Sequence, residues 1–145
     1  MGIDLPLIWA IIIIFGVMMY VVMDGFDLGI GILFPFIKGE KDRDVMMNTV
    51  APVWDGNETW LVLGGAALFG AFPLAYSVVL SALYLPLILM LVGLIFRGVA
   101  FEFRFKATAD KRHIWDKAFI WGSIIATFFQ GVALGAFIEG IPVVN

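Results

Sequence analysis

The chain has 145 residues, of which 62% are hydrophobic and 14% charged, with a net charge of -3 and a mean hydropathy of +1.02. Soluble domains are roughly half apolar and about a quarter charged, so this is the composition of an integral membrane protein, with the lipid bilayer as its first partner and no signal for nucleic acid. Cysteine is absent, which excludes disulfides, thiolate metal sites and thiol chemistry.

The first uncharged run, Leu5 to Met23, reaches the ~20 residues that cross a hydrocarbon core of ~30 Å, and predicts a transmembrane helix over about 5–24. The opening "MGIDLPLIWA" carries an acid and no Lys or Arg, unlike a cleavable signal peptide, so this span is expected to be retained. The weaker tail "LGIGILFPFI" either extends the span or lies at the interface before "KGEKDRD". A second helix is predicted over about 52–72, with Pro52 suited to a first turn and Asn48 or Thr49 available as its cap. Pro73 marks a turn in "GAFPLAY", placing a third helix over about 76–96 and a fourth over about 118–138. The expected architecture is an all-α, polytopic bundle of four transmembrane helices in one membrane domain.

Charge orients it. Lys38, Lys41 and Arg43 fall in a loop over about 38–49, and Arg97, Arg104, Lys106, Lys111, Arg112 and Lys117 in a loop over about 97–117. The positive-inside rule makes both loops cytoplasmic, with the N-terminus, the short second loop and Asn145 outside.

In that topology Asp24 and Asp27 end the first span, Asp55 and Glu58 begin the second, and Arg97 closes the third, all near the cytoplasmic edge. Each acidic pair is spaced by three and shares a helix face, while Gly25, Gly29 and Gly31 allow a neighbouring helix to approach. An ionised acid at the centre of a span costs about 2.5 to 3.5 kcal/mol on the insertion scale, so these groups should face protein or water, with Arg97 as counter-charge. Carboxylates grouped at a membrane boundary suit a proton intake path. The plainer reading, that acids in a first helical turn complement the macrodipole, stands beside it for Asp55. It suits Asp24 and Asp27 less, since a C-terminal helix end disfavours anions.

The remaining polar and sulfur groups are read as structural. Trp54, Trp60, Trp115 and Trp121 read as interfacial residues, with at least one of Trp54 and Trp60 packed on protein. His113, the only histidine, reads as a solvated loop residue; Met18, Met19, Met23 and Met90 read as packing, so no metal site is expected. Gly131 and Gly135 have GxxxG spacing, Gln130 is expected to bond to another helix, and Glu139 to be hydrated at the outer end.

"DGFDLGIG" at 24–31, "APVWDGNETWL" at 51–61 and "FRGVAFEFR" at 96–104 together resemble subunit II of the cytochrome bd quinol oxidases, in order and at comparable spacing across essentially the whole chain. The resemblance implies a respiratory enzyme of a bacterial or archaeal cytoplasmic membrane that oxidises quinol and reduces O2 to water with cytoplasmic protons. It implies haem b and haem d in a partner, subunit I, no cofactor held by this chain, and leaves open a structural quinone. It implies that Asp55, in the WDG motif, leads protons toward the partner's haem site, with Asp24 and Asp27 of the DGFD motif in the same polar region and Arg97 closing the third span; Glu58 stands where some members carry Gln. Members are about twice this length, so the chain reads as an N-terminal half. The competing class is a small four-span ion-coupled transporter acting as an oligomer, which needs an ionisable residue near the bilayer midplane; the middles of the predicted spans carry none. A purely structural membrane subunit would leave the clustered acids without a role.

Overall fold

A computed structural model describes residues 2–143. Its described elements are helical throughout: α1 Leu5–Leu33, a 3-10 turn Phe34–Phe36, α2 Glu40–Val50, α3 Trp54–Ala71, α4 Pro73–Ala82, α5 Tyr84–Lys106 and α6 Arg112–Glu139. The stretches Leu5–Phe36, Tyr84–Lys106 and Arg112–Glu139 are long and apolar enough to cross a membrane, and Pro73–Ala82 is a shorter apolar helix. The all-α expectation holds.

The first helix is longer than the predicted 5–24. Asp4 caps it, its Oδ1 accepting from Leu7 N at 3.2 Å, and the helix then runs unbroken through Asp24 and Asp27 to Leu33. Pro35, which lacks an N–H and crowds the carbonyl four residues back, ends it in the 3-10 turn. The two aspartates therefore lie inside the helix and not at its C-terminal end.

The predicted loop 38–49 is largely the helix α2. Glu40 and Asp42 complement its N-terminus, and Met47 and Val50 bury its inner face beside Phe34, Ala100, Phe101 and Phe119. Asn48 and Thr49 belong to this helix and do not cap the next one; Thr49 Oγ1 donates to Val45 O at 2.8 Å. The next helix, α3, starts at Trp54 without a side-chain cap.

The predicted third span is two helices that meet at Leu83. Pro86 cannot donate to the carbonyl of Ala82 and its ring crowds that oxygen, so the backbone breaks there and restarts as α5. That helix continues past Arg97 to Lys106, which leaves only a short connection before α6.

The helices pair antiparallel. α5 and α6 form the most intimate pair because two glycines face each other: a Cβ at Gly93 would stand 2.7 Å from Gly122 O, and one at Gly122 would stand 2.6 Å from Gly93 O. α1 packs on α3 through Gly16 and Gly64, and on α6 at Gly31, where Ser123 fills the space a side chain would need. Gly25 and Gly29 have nothing within 4 Å of an added Cβ, so of those three expected contact glycines only Gly31 serves. Gly131 and Gly135 likewise have nothing within 4 Å of an added Cβ among the described residues.

Candidate functional site: a buried arginine–carboxylate seam

The inner face of α1 presents Tyr20, Asp24, Asp27, Leu28 and Gly31, a stripe at helical spacing that meets three other helices. Asp24, Asp27 and Arg97 have no accessible surface. Arg97 comes from the middle of α5, with its backbone N and Cβ beside Gly122 of α6 and its guanidinium reaching α1 and α3. Its Nη1 donates to Asp24 Oδ1 of α1 and to Glu58 Oε1 of α3, both at 3.1 Å. The guanidinium also stands 5.6 Å from the centroid of the Phe101 ring, and Phe101 is stacked on Trp54 at 5.2 Å.

Asp27 is held by a residue that the sequence patterns do not single out. Asn57 Nδ2 donates to Asp27 Oδ2 at 2.8 Å and to Met23 O at 3.3 Å. About two turns before Asp27 along α1, Tyr20 Oη donates to Gln130 Oε1 of α6 at 2.9 Å, as expected of a polar residue in an apolar span. Tyr20 and Gln130 thus continue the polar seam to about half-way along α1. Asn57 sits in full view within "WDGNETW"; Tyr20 has a signal too, four residues before Asp24 on the same stripe.

Of the five residues read from sequence, the structure brings together Asp24, Asp27, Glu58 and Arg97. Asp55 stays on the exposed side of the first turn of α3, where its carbonyl accepts from Thr59 Oγ1 at 2.7 Å. A step of three residues turns a helix by about 300°, so the two side chains diverge by about 60° and Glu58 alone faces inward. Glu58 also lines an apolar groove of about 540 Å³ between α3 and α5, with Trp54, Leu61, Leu94, Ile95 and Gly98. It is the one acid of the cluster that touches both the buried arginine and an open face.

Several polar atoms of the seam lack partners among the described residues: Asp24 Oδ2, Asp27 Oδ1, Arg97 Nε and Nη2, and Ser123 Oγ. Buried polar groups are otherwise almost always satisfied, so this density of free donors and acceptors sets the seam apart from an ordinary packing core. A separate ionic cluster fastens α2 to the hairpin: Arg104 donates to Asp44 and Asp116, and Arg43 to Asp116 at 3.3 Å. Arg43 Nε also donates to Ile37 O at 2.6 Å. The predicted cytoplasmic loops are therefore one knit structure.

Residues 5–145 match the sequence pattern of the family described as cytochrome bd terminal oxidase subunit II. The chain belongs to that family. It is 39% identical over 142 residues to the cytochrome bd-I ubiquinol oxidase subunit 2 of Escherichia coli, an alignment covering 95% of this chain and 37% of that protein. The probable cytochrome oxidase subunit 2 of Haemophilus influenzae is 39% identical over 140 residues, again 95% of this chain and 37% of the relative. The cytochrome bd ubiquinol oxidase subunit 2 of Bacillus subtilis is 38% identical over 138 residues, 94% of this chain and 41% of the relative. This subunit II chain thus spans about two fifths of the length of the relatives it matches. The buried seam draws on all three motifs that carried the resemblance, with Asp24 and Asp27 from the first, Asn57 and Glu58 from the second and Arg97 from the third.

Proposed function

We propose that this chain forms the proton-intake part of a haem-free subunit II of a membrane-bound quinol:O2 oxidoreductase. In this reading α1, α3, the α4–α5 pair and α6 make four crossings, with the N-terminus outside and the basic segments around Lys38–Arg43 and Arg104–Lys117 in the cytoplasm. Asn145, placed outside by the same rule, lies beyond the described residues. Protons enter at Asp55, on the exposed first turn of α3, pass to Glu58 and the Arg97–Asp24 pair, and leave toward a haem-bearing subunit I in the cytoplasmic membrane of a bacterium or archaeon. The quinol is oxidised in the partner.

The observation that carries this reading is the placement of Arg97. A guanidinium inside a helix bundle, bridging carboxylates from two other helices, is a costly arrangement. Continuous apolar packing would hold the helices together as well or better, so the charges are explained by charge movement and not by stability. Haem is the redox group that such an oxidase needs, and this chain offers it no ligand pair: His113 is exposed at the start of α6, Met18 and Met23 face outward, and Met90 is packed with Leu28, Leu94 and Ala126. This disposition of His113 and these methionines supports placing the haems in the partner. A transporter would draw no support from the family to which the chain belongs, and no observation favours it.

The test uses the full-length subunit assembled with its partner. Asp24→Asn and Asp55→Asn keep side-chain volume while removing a carboxylate that can relay a proton. Each is expected to leave haem content unchanged and to lower quinol-driven oxygen consumption per haem by an order of magnitude or more, whereas Glu139→Gln is silent. Unchanged turnover per haem in both Asp variants rules out the intake path.

A further inference from the structure

Asp27 is fully buried, yet it has no place in a path that runs from Asp55 through Glu58 to the Arg97–Asp24 pair. Its surroundings differ from those of the other two inward-facing acids. Asp24 Oδ1 and Glu58 Oε1 each accept from Arg97 Nη1 at 3.1 Å, whereas Asp27 forms no ion pair among the described residues. Its side-chain donor there is neutral: Asn57 Nδ2 of α3, 2.8 Å from Oδ2. The same nitrogen stands 3.3 Å from Met23 O, and a carbonyl oxygen can only accept, so this contact fixes which end of the Asn57 amide faces Asp27. Oδ1 is buried and without a partner among the described residues.

Charge and hydrogen bonding together distinguish the three acids. With all of them ionised, the seam would hold three negative charges against the single positive charge of Arg97, largely out of contact with water. The other elements packed on α1 offer no further counter-charge. α6 contributes the neutral Ser123 and Gln130, and the ion-paired residues of α2, Glu40, Arg43 and Asp44, are taken by Arg112, Asp116 and Arg104. A proton relieves most where no cation already neutralises the carboxylate. Arg97 serves Asp24 and Glu58, which leaves Asp27, and a buried hydroxyl without a partner costs far less than a buried charge without one. Asn57 then selects the oxygen: Oδ2, accepting from the amide, is the carbonyl oxygen of the neutral acid, and the hydrogen belongs on Oδ1. We propose that Asp27 holds a resident proton on Oδ1, a storage site within the seam, and that Asn57 is its positioning residue. Releasing this proton to a carboxylate or water of the path breaks the Oδ1–H bond and leaves the Asp27 carboxylate; a proton drawn from the cytoplasm restores it, with Asn57 bound to Oδ2 throughout. That use of the proton rests on the intake reading above, whereas the protonation of Asp27 does not.

The experiment uses the full-length subunit assembled with its partner, at neutral pH, and compares Asp27→Asn, Asn57→Leu and Asp24→Asn with the unaltered oxidase. Turnover per haem is read beside the infrared C=O stretch of a protonated carboxyl, assigned to Asp27 by its loss in Asp27→Asn. Asn57→Leu is expected to move that band to higher frequency, because Oδ2 has lost its donor. Asp27→Asn should keep haem content, since one neutral group replaces another, and should lower turnover per haem several-fold, since an amide cannot release a proton. If no band is lost in Asp27→Asn, Asp27 rests ionised and the proposal is overturned. A band that stays in place in Asn57→Leu overturns the positioning role of Asn57; if that variant does not assemble, Asn57→Ala is read in the same way. Full turnover in Asp27→Asn beside a slow Asp24→Asn enzyme overturns the storage role and leaves the intake path intact. Full turnover in both Asp24→Asn and Asp55→Asn removes the intake reading and the storage role with it, while the band still decides whether Asp27 holds the proton.

Discussion

Arg97 is one positive charge among three inward-facing carboxylates, and its value lies in geometry as much as in charge. A planar guanidinium can hold Asp24 and Glu58 together while stacking near Phe101. Removing the arginine leaves buried carboxylates without their counter-charge, at a cost of about 3 to 5 kcal/mol, whereas Asp24→Asn keeps an oxygen that can still accept from the guanidinium. Arg97→Leu should therefore lower the amount of assembled subunit sharply, measured as subunit retained in detergent-solubilised membranes. Arg97→Lys keeps the charge as a compact point without the fork, so we expect partial assembly and reduced turnover per haem; full recovery of both would show that charge alone suffices. Glu58 differs from the aspartates in having a partly open position beside the α3–α5 groove. That position suits the hand-over between Asp55, on the exposed face, and the sealed pair behind it.

At the scale of helices, the close approach of α5 and α6 sets the Arg97 backbone against Gly122. Added methyl groups at Gly93 or Gly122 meet backbone atoms of the opposite helix, which cannot move aside as a flexible side chain can. Gly122→Ala should destabilise the hairpin by about 1 to 3 kcal/mol, the usual range for overpacking, and should lower the temperature at which the purified subunit loses helical circular dichroism. Gly131→Ala and Gly135→Ala, at the sequence-recognised GxxxG positions, should leave that temperature unchanged because none of the described residues comes within 4 Å of an added Cβ there. The contrast shows how a spacing rule can fall on the wrong glycines. Spacing says that two small residues share a face, while the partner helix determines which face is used. Asp55 and Glu58 make the same point, since a shared spacing of three put only Glu58 inside.

For the whole molecule, the proposed four-crossing topology makes a labelling prediction. An impermeant thiol reagent applied to intact cells should leave a Cys at Lys41 or Lys111 untouched and should modify one at Leu74, which is exposed beside the α3–α4 turn; the reverse pattern would invert the orientation. Apolar runs of about 20 residues were enough to read the helical class, and with the grouping of basic residues to form an expectation of spans and orientation, because burial in lipid acts on composition and length, which are local properties. The acids of the seam and their counter-charge were legible for a related reason: a carboxylate in an apolar run is conspicuous wherever the chain later places it. The helix inside the first basic loop was masked by its charge, while the continuation of α1 past Asp27 was one of two alternatives that the weak apolar tail left open. Tertiary structure alone decided that Asn57 holds Asp27, that Gln130 reaches Tyr20, that Gly93 and Gly122 are the glycines in contact, and that Asp55 faces away from Arg97. Each of these depends on the rotation of one helix against another, which is fixed by packing between residues tens of positions apart and leaves no periodic trace in the sequence.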